Sequence, residues 1–343
     1  MLLGSGLWGL FILFRTGVKM RLEYLYNAFF LSPVLLWSFN TRYGFGSSPA
    51  PDAVVSLLGV AVGGALICLL DLAGDDERSG EWSRRARYGA LVVLLFAAAG
   101  LTVKLSFAVL GAAAVVLAYT TIFRLPNHDG QGRWIRLTAC SAVVCVLFLG
   151  PWVIHGVILS GYVAYPLSIG AALVDWKMPS SMVKEEAALI KSWARMPRVR
   201  YEQVLADWRW LTPWTRTIVQ SYRFDVIFPL GATVVGLLLV SVKRLRDGAA
   251  SPGTYRLFLL VPTLSLIFWF FSAPAPRFAG ACFWMPAIGS VSILLVSSRV
   301  PAVRIAVLIL FAVVIWKSLD SDVVYPRHPK NPGQDRLGRE QDH

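Results

Sequence analysis

Nine apolar stretches, each about as long as a bilayer is thick, constrain this chain more than any other feature. They fall at residues 23–39, 53–72, 88–103, 105–122, 138–158, 225–242, 257–273, 280–298 and 302–318. A helix rises about 1.5 Å per residue and a hydrocarbon core is about 30 Å thick, so such runs are read as membrane-crossing helices. Of the 343 residues, 56% are apolar, only 15% are charged, and mean hydropathy is +0.59. Soluble domains carry about 25% charged residues. Disorder and an ordinary soluble fold are thereby excluded. The expected fold class is an all-α polytopic transmembrane bundle of about nine spans.

Residues 88–122 form one apolar run interrupted by Lys104. A single helix of that length would overshoot a bilayer, so the run reads as two helices meeting at Lys104. Residues 1–13 are too short to cross and read as part of a longer first helix. They lack the preceding positive charge and the cleavage site of a signal peptide.

Basic residues sort the loops. Arg15, Lys19 and Arg21, then Arg78, Arg84, Arg85 and Arg87, then Arg124, Arg133 and Arg136, then Lys243, Arg244, Arg246 and Arg256, then Arg299 and Arg304 occupy alternate connections. The positive-inside tendency puts these on the cytoplasmic side. Loop 159–224 and the tail 319–343 then lie on the non-cytoplasmic side. The expected organisation is a transmembrane domain over residues 1–318, with loop 159–224 inserted, and a disordered tail over 319–343. A net charge of +13 fits loop orientation and anionic lipid better than nucleic acid, because no basic recognition helix or aromatic RNA motif is present.

Loop 159–224 is too apolar for a linker. Residues 181–196 read as an amphipathic helix, with Glu185 and Glu186 early, Lys191 and Arg195 late, and Pro197 after it. Met182, Val183, Ile190, Trp193 and Met196 are expected on one face. A second helix is expected over 200–211. Trp176, Trp193, Trp208, Trp210 and Trp214 lie in this loop. They suit either a helix pair lying on a leaflet or a roof over a substrate cavity.

Lys104 and Arg277 are charges set in apolar surroundings, and such charges are functional by default. Arg277 follows two prolines in Ala273-Pro-Ala-Pro-Arg-Phe278, where interrupted backbone suits the lining of a polar cavity. A guanidinium fork and an ammonium both suit phosphate. Asp52 reads as the N-cap region of the next helix. His155 and Trp152 sit near a helix end, and Asp175, Glu186 and Asp207 are the loop's candidate carboxylates. The substrate-binding candidates are Lys104, Arg277, His155, Trp152, Asp175 and Trp176. Cys68, Cys140, Cys145 and Cys282 read as free buried thiols, and neither a metal site nor another cofactor is expected. Serine-hydrolase, P-loop, dinucleotide and HExxH motifs are absent from the sequence.

Several motifs together carry a resemblance. They are Gly46-Ser-Ser-Pro-Ala-Pro-Asp52, Leu101-Thr-Val-Lys-Leu-Ser106, Gly150-Pro-Trp152, Ile158-Leu-Ser-Gly-Tyr-Val-Ala-Tyr-Pro166, Val174-Asp-Trp-Lys-Met-Pro179, Ser192-Trp-Ala-Arg195 and Ala273-Pro-Ala-Pro-Arg-Phe278. Their order resembles an uncharacterised Leptospira-type family of bacterial multi-pass inner-membrane proteins, itself similar to the GT-C glycosyltransferases. The resemblance covers most of residues 40–300. It implies transfer of a sugar from a polyprenyl-phosphate donor at the outer face of the bacterial inner membrane. The partners it implies are membrane lipid and a polyprenyl-phosphate-linked sugar. It also implies an acidic base in a first outer loop, which would precede Met1. The expectation is therefore a C-terminal portion, inactive or split, with a separately encoded N-terminal part. The alternatives are an envelope-polysaccharide polymerase, ligase or flippase, or a non-catalytic membrane protein.

Overall fold

The computed structural model describes residue 26 and residues 51–74, 80–124, 131–247 and 253–297. Its described elements are helical, apart from one isolated antiparallel bridge between Tyr162 and Ala171. Seven of the nine apolar segments lie among the described residues, and each forms a helix. They are α1 (Asp52–Gly74), α2 (Gly80–Val103), α3 (Ala108–Phe123), α4 (Gln131–Ser160), α8 (Phe228–Asp247), α9 (Gly253–Ser272) and α11 (Trp284–Ser297). Lipid offers no partners to backbone N–H and C=O groups, so apolar runs of this length satisfy them internally as helices.

Four helices among the described residues are long and apolar enough to cross a membrane: Arg84–Val103, Leu105–Phe123, Trp134–Ser160 and Asp225–Val242. Val54–Leu70, Leu257–Ser272 and Trp284–Leu294 are shorter apolar helices. Segment 23–39 apart from Tyr26, segment 302–318, the partial helix at 1–13 and the tail 319–343 lie outside the described residues.

The division at Lys104 is present. Lys104 adopts extended backbone (φ −156°, ψ 125°), followed by a 3-10 turn over Leu105–Phe107. Its N–H still donates to the Gly100 carbonyl at 3.0 Å, and its carbonyl accepts from Phe107 N–H at 3.0 Å. The chain thus reverses within four residues. Phe107 folds back onto α2 and is 3% exposed. It fits only because residue 100 has no side chain: a Cβ there would stand 2.3 Å from the Phe107 ring.

The main core joins α1, α2, α3, α9 and α11 through buried Leu66, Val93, Ala114, Phe258, Met285 and Ile288. Small residues let α2 and α3 approach, with Ala97 against Gly111, as is usual between helices in lipid. Helix α4 packs on α2, while Val143, Val146, Leu147, Ile154 and Ile158 along it are exposed. Successive helices alternate in direction. Asp52 at the start of α1 meets Lys104 after α2, and Phe228 opening α8 packs on Trp284 opening α11 at 5.8 Å between rings. Residues 52, 104, 160–227 and 272–284 therefore gather at one end of the bundle, here called the loop end.

At that end, residues 160–179 close on themselves. Met178 N–H donates to Ser160 O (3.0 Å), Ala172 N–H to Gly161 O (2.8 Å) and the Tyr162 hydroxyl to Met178 O (3.1 Å). Gly161 has φ +77° and faces the Lys177 backbone, so no other residue suits the turn. Helix α5 (Ser180–Arg195) matches the expected amphipathic helix within a residue. The expected helix over 200–211 is a correction: α6 (Tyr201–Ala206) stops at Asp207, and α7 (Leu211–Ser221) begins anew. Asp207 is extended, and its carboxylate accepts from Arg209 N–H at 2.9 Å. That local bond competes with the helix and ends it. The residues expected on one face of α5 differ in burial. Val183 is buried, but Met182, Ile190 and Trp193 are exposed.

Replacing Gly100 by Val tests the hairpin. Leaving glycine improves helix propensity by at most ~1 kcal/mol, whereas forcing a buried ring aside costs about 1–3 kcal/mol. A lowered melting temperature in detergent is expected; an unchanged or raised one would contradict the packing described.

Candidate functional site

Two prolines create the site's frame. Pro274 and Pro276 have no N–H, so the carbonyls of Phe270 and Ser272 lose their helical donors. The Ala275 N–H bonds to Ala273 O at 2.8 Å instead, which frees the Phe271 carbonyl. Side chains supply donors to this broken stretch. Arg195 Nη2 donates to Phe271 O (3.3 Å), Trp214 Nε1 to Pro274 O (2.8 Å) and Trp269 Nε1 to Ala275 O (2.8 Å). Helices α5 and α7 are thereby tied to the end of α9. The Arg195 guanidinium stacks 4.6 Å from the Trp210 ring centre. Burial lowers its pKa, yet an arginine stays charged because its ordinary value is so high.

The four-residue helix α10 (Pro276–Ala279) presents Arg277 and Phe278. Lys104 Nζ lies 4.5 Å from the Phe278 ring centre, and Arg277 Cζ lies 5.0 Å from the same centre. Both cations thus meet one aromatic quadrupole, an arrangement each finds favourable. Lys104 also forms an ion pair with Asp52, the two side chains being 16% and 14% exposed. Arg277 is exposed and has no ion-pair partner among the described residues.

Tyr222 and Asp225 complete the group. Tyr222 and Phe278 pack on the same small core of Ile218, Val226, Trp269, Ala279 and Phe283. The Tyr222 hydroxyl is pushed above its ordinary pKa by burial first and by the Asp225 carboxylate second, with Arg277 acting in the opposite sense. Asp225 lies in a π-helical turn, Arg223–Ile227, that opens α8. Such turns are uncommon and frequent at functional sites. It too has no ion-pair partner among the described residues.

Of the sequence-derived candidates, Lys104 and Arg277 come together. Lys104 differs from expectation in one respect, because its charge is already matched by Asp52. Asp52 is correspondingly more than an N-cap: it begins α1, Pro51 O accepts the first helical bond from Val55 N–H at 3.0 Å, and the carboxylate turns to Lys104. His155 is exposed and Trp152 half-buried on α4. Trp176 Nε1 donates to Val157 O at 3.3 Å, and the exposed Asp175 accepts from Trp176 N–H at 3.1 Å. These two belong to the closed 160–179 loop on the end of α4. Among the described residues, no hydrogen bond, ion pair or ring contact joins these four to Lys104 or Arg277. Glu186 is half-buried on α5, and Asp207 pairs with Arg209 at 3.0 Å.

Cys282 is buried, Cys68 and Cys145 are half-buried and Cys140 is exposed, which corrects the expectation of four buried thiols. Among the described residues, no three His, Cys, Asp or Glu gather as a metal site. An open groove of ≈ 500 Å³ runs along α7, lined by Leu211, Thr212, Thr215, Arg216, Val219 and Gln220.

The Lys104–Asp52 pair has a measurable signature. Removing one member of a buried pair costs about 3–5 kcal/mol, whereas an apolar replacement of both is close to neutral. Asp52→Leu and Lys104→Met should each lower the melting temperature, and the double variant should recover most of the loss. Additive losses in the double variant would show that the pair is not coupled.

A family model described as "Domain of unknown function (DUF8201)" matches residues 6–284. No curated protein and no solved structure matches the chain. A match over that share of the sequence identifies the chain as a member of the DUF8201 family.

Proposed function

We propose that this chain binds a phosphate-bearing, lipid-linked sugar at the loop end of its bundle and acts as a GT-C-type glycosyltransferase at the outer face of the bacterial inner membrane. The nine-pass topology and the non-cytoplasmic placement of loop 159–224 are parts of this reading. What carries it is Arg277: an exposed guanidinium on a proline-broken helix, without a carboxylate partner among the described residues, beside a Lys104–Asp52 pair that is neutral as a unit. An uncompensated planar fork of donors at a helix end suits a phosphate. Lys104 then positions Phe278 and Arg277, and adds a weaker attraction for an anion because Asp52 offsets its charge.

In this mechanism the Asp225 carboxylate serves as general base. An acceptor hydroxyl oxygen forms the new bond to the anomeric carbon. The bond from that carbon to the phosphate oxygen breaks, and its electron pair leaves on the lipid phosphate. The hydroxyl proton passes to Asp225. Arg277 holds the leaving phosphate and stabilises the charge that grows on it, an effect concentrated in the transition state. This assignment puts the base within the chain rather than in a preceding loop.

The test is sugar transfer from polyprenyl-phosphate sugars by the reconstituted protein, together with binding of the free polyprenyl phosphate. Asp225→Asn should retain lipid-phosphate binding and lose about 100-fold or more in turnover, the usual contribution of a general base. Arg277→Ala should weaken binding as well as turnover. Wild-type protein that neither binds polyprenyl phosphate nor transfers sugar would end this reading.

A further inference from the structure

Helix α5 carries more apolar surface than the fold buries. Met182, Leu189, Ile190 and Trp193 are spaced seven, one and three residues apart, which sets them along one stripe of a helix. All four are exposed, Trp193 at 57%. Val183 and Ala194 on one flank of that stripe and Ser192 on the other are the side chains the protein covers. Lys184 and Lys191 lie on the opposite side of the helix by the same spacing.

The stripe does not end with α5. Arg195, two residues beyond Trp193, donates to the Phe271 carbonyl, so the end of α5 is fastened to the end of α9. Phe271 is 56% exposed and tops a second exposed stripe along α9: Leu260, Leu264, Ile267, Phe268 and Phe271. Trp208 packs on Phe270 and Phe271 at 6.4 Å yet remains 56% exposed. One apolar face therefore runs along α9 and turns at Phe271 onto Trp208 and α5. Its lower part is the outer wall of an apolar helix, where lipid tails are the solvent. Its upper part is rich in tryptophan, the residue that favours the headgroup level.

We propose that α5, with Trp193 and Trp208, is seated in the lipid leaflet, its apolar stripe among the acyl chains and its lysines toward water. The bilayer is the occupant of this face, because the face continues that of α9 through Phe271 and Trp208; Glu186, which falls within the stripe by the same spacing, is half-buried, and Arg195 at the join is held by the Phe271 carbonyl. The inference does not depend on the reaction proposed above. A consequence is that Arg277 and Phe278 stand at headgroup depth, where a membrane-borne anion would reach them without leaving the lipid.

Nitroxide labels on single cysteines, in a background with the four native cysteines replaced, provide the test. The protein would be reconstituted in phosphatidylethanolamine and phosphatidylglycerol vesicles. At Met182→Cys, Leu189→Cys, Trp193→Cys and Trp208→Cys, the label should be reached more readily by oxygen than by a water-soluble nickel chelate. At Lys184→Cys and Lys191→Cys the order should reverse. Strong nickel access at the first four sites would put the face in water. Poor access to both reagents would mean that a second copy or another segment covers it; either result overturns the proposal. A second measurement keeps the native cysteines. Trp193→Phe and Trp208→Phe should each reduce the share of tryptophan emission quenched by lipids brominated near the headgroup, and an unchanged share would also overturn it.

Discussion

An ammonium and a carboxylate that find each other at the end of an apolar bundle set the geometry of the loop end. Lys104 interrupts what would otherwise be one over-long helix, and the cost of a charge in apolar surroundings is reduced by Asp52 and by the face of Phe278. The pair ties the start of α1 to the α2–α3 turn. Phe278 then ties that turn to α10. Removing either charge would leave the other half-buried and unmatched, which costs more than the pair itself contributes. That asymmetry explains why an ion pair with modest net worth can still hold three segments in register.

The second constraint is the proline-broken stretch between α9 and α10. Carbonyls deprived of helical donors must be satisfied by something else. Arg195, Trp214 and Trp269 do so, and in doing so they draw the helices of loop 159–224 over the bundle end. The tryptophans of this loop therefore divide by role. Trp210 and Trp214 face the protein, as stacking and hydrogen-bonding partners, while Trp193 and Trp208 are largely exposed. The polar groups so assembled include two that no motif flagged, Tyr222 and Asp225.

Much of the helical layout was legible in the amino acids. Seven apolar runs read as helices are helices, including the two separated only by Lys104, because lipid-compatible length and period are local properties. The amphipathic helix at 180–195 was legible for the same reason, from its charge order and Pro197. The break at Asp207 was not, since Tyr201, Val204, Leu205 and Trp208 keep helical spacing and only a side-chain bond to Arg209 interrupts it. The candidate site was half legible. Lys104 and Arg277 stood out as charges in apolar text, but His155, Trp152, Asp175 and Trp176 came in with them and lie on or against α4 instead. Asp225 was hidden at the edge of an apolar run, where a carboxylate reads as an ordinary helix start.

Sequence alone determined that the chain is helical and apolar, where its long apolar helices lie, and which two cations stand isolated along it. Those features depend on neighbours a few residues away, which the linear text contains. Tertiary structure alone decided that Asp52 answers Lys104 across 52 positions, that Arg277 is left without a carboxylate among the described residues, and that Asp225 and Tyr222 join it. Ion pairing, ring contact and burial depend on which helix ends meet in space, and no local spacing encodes that meeting.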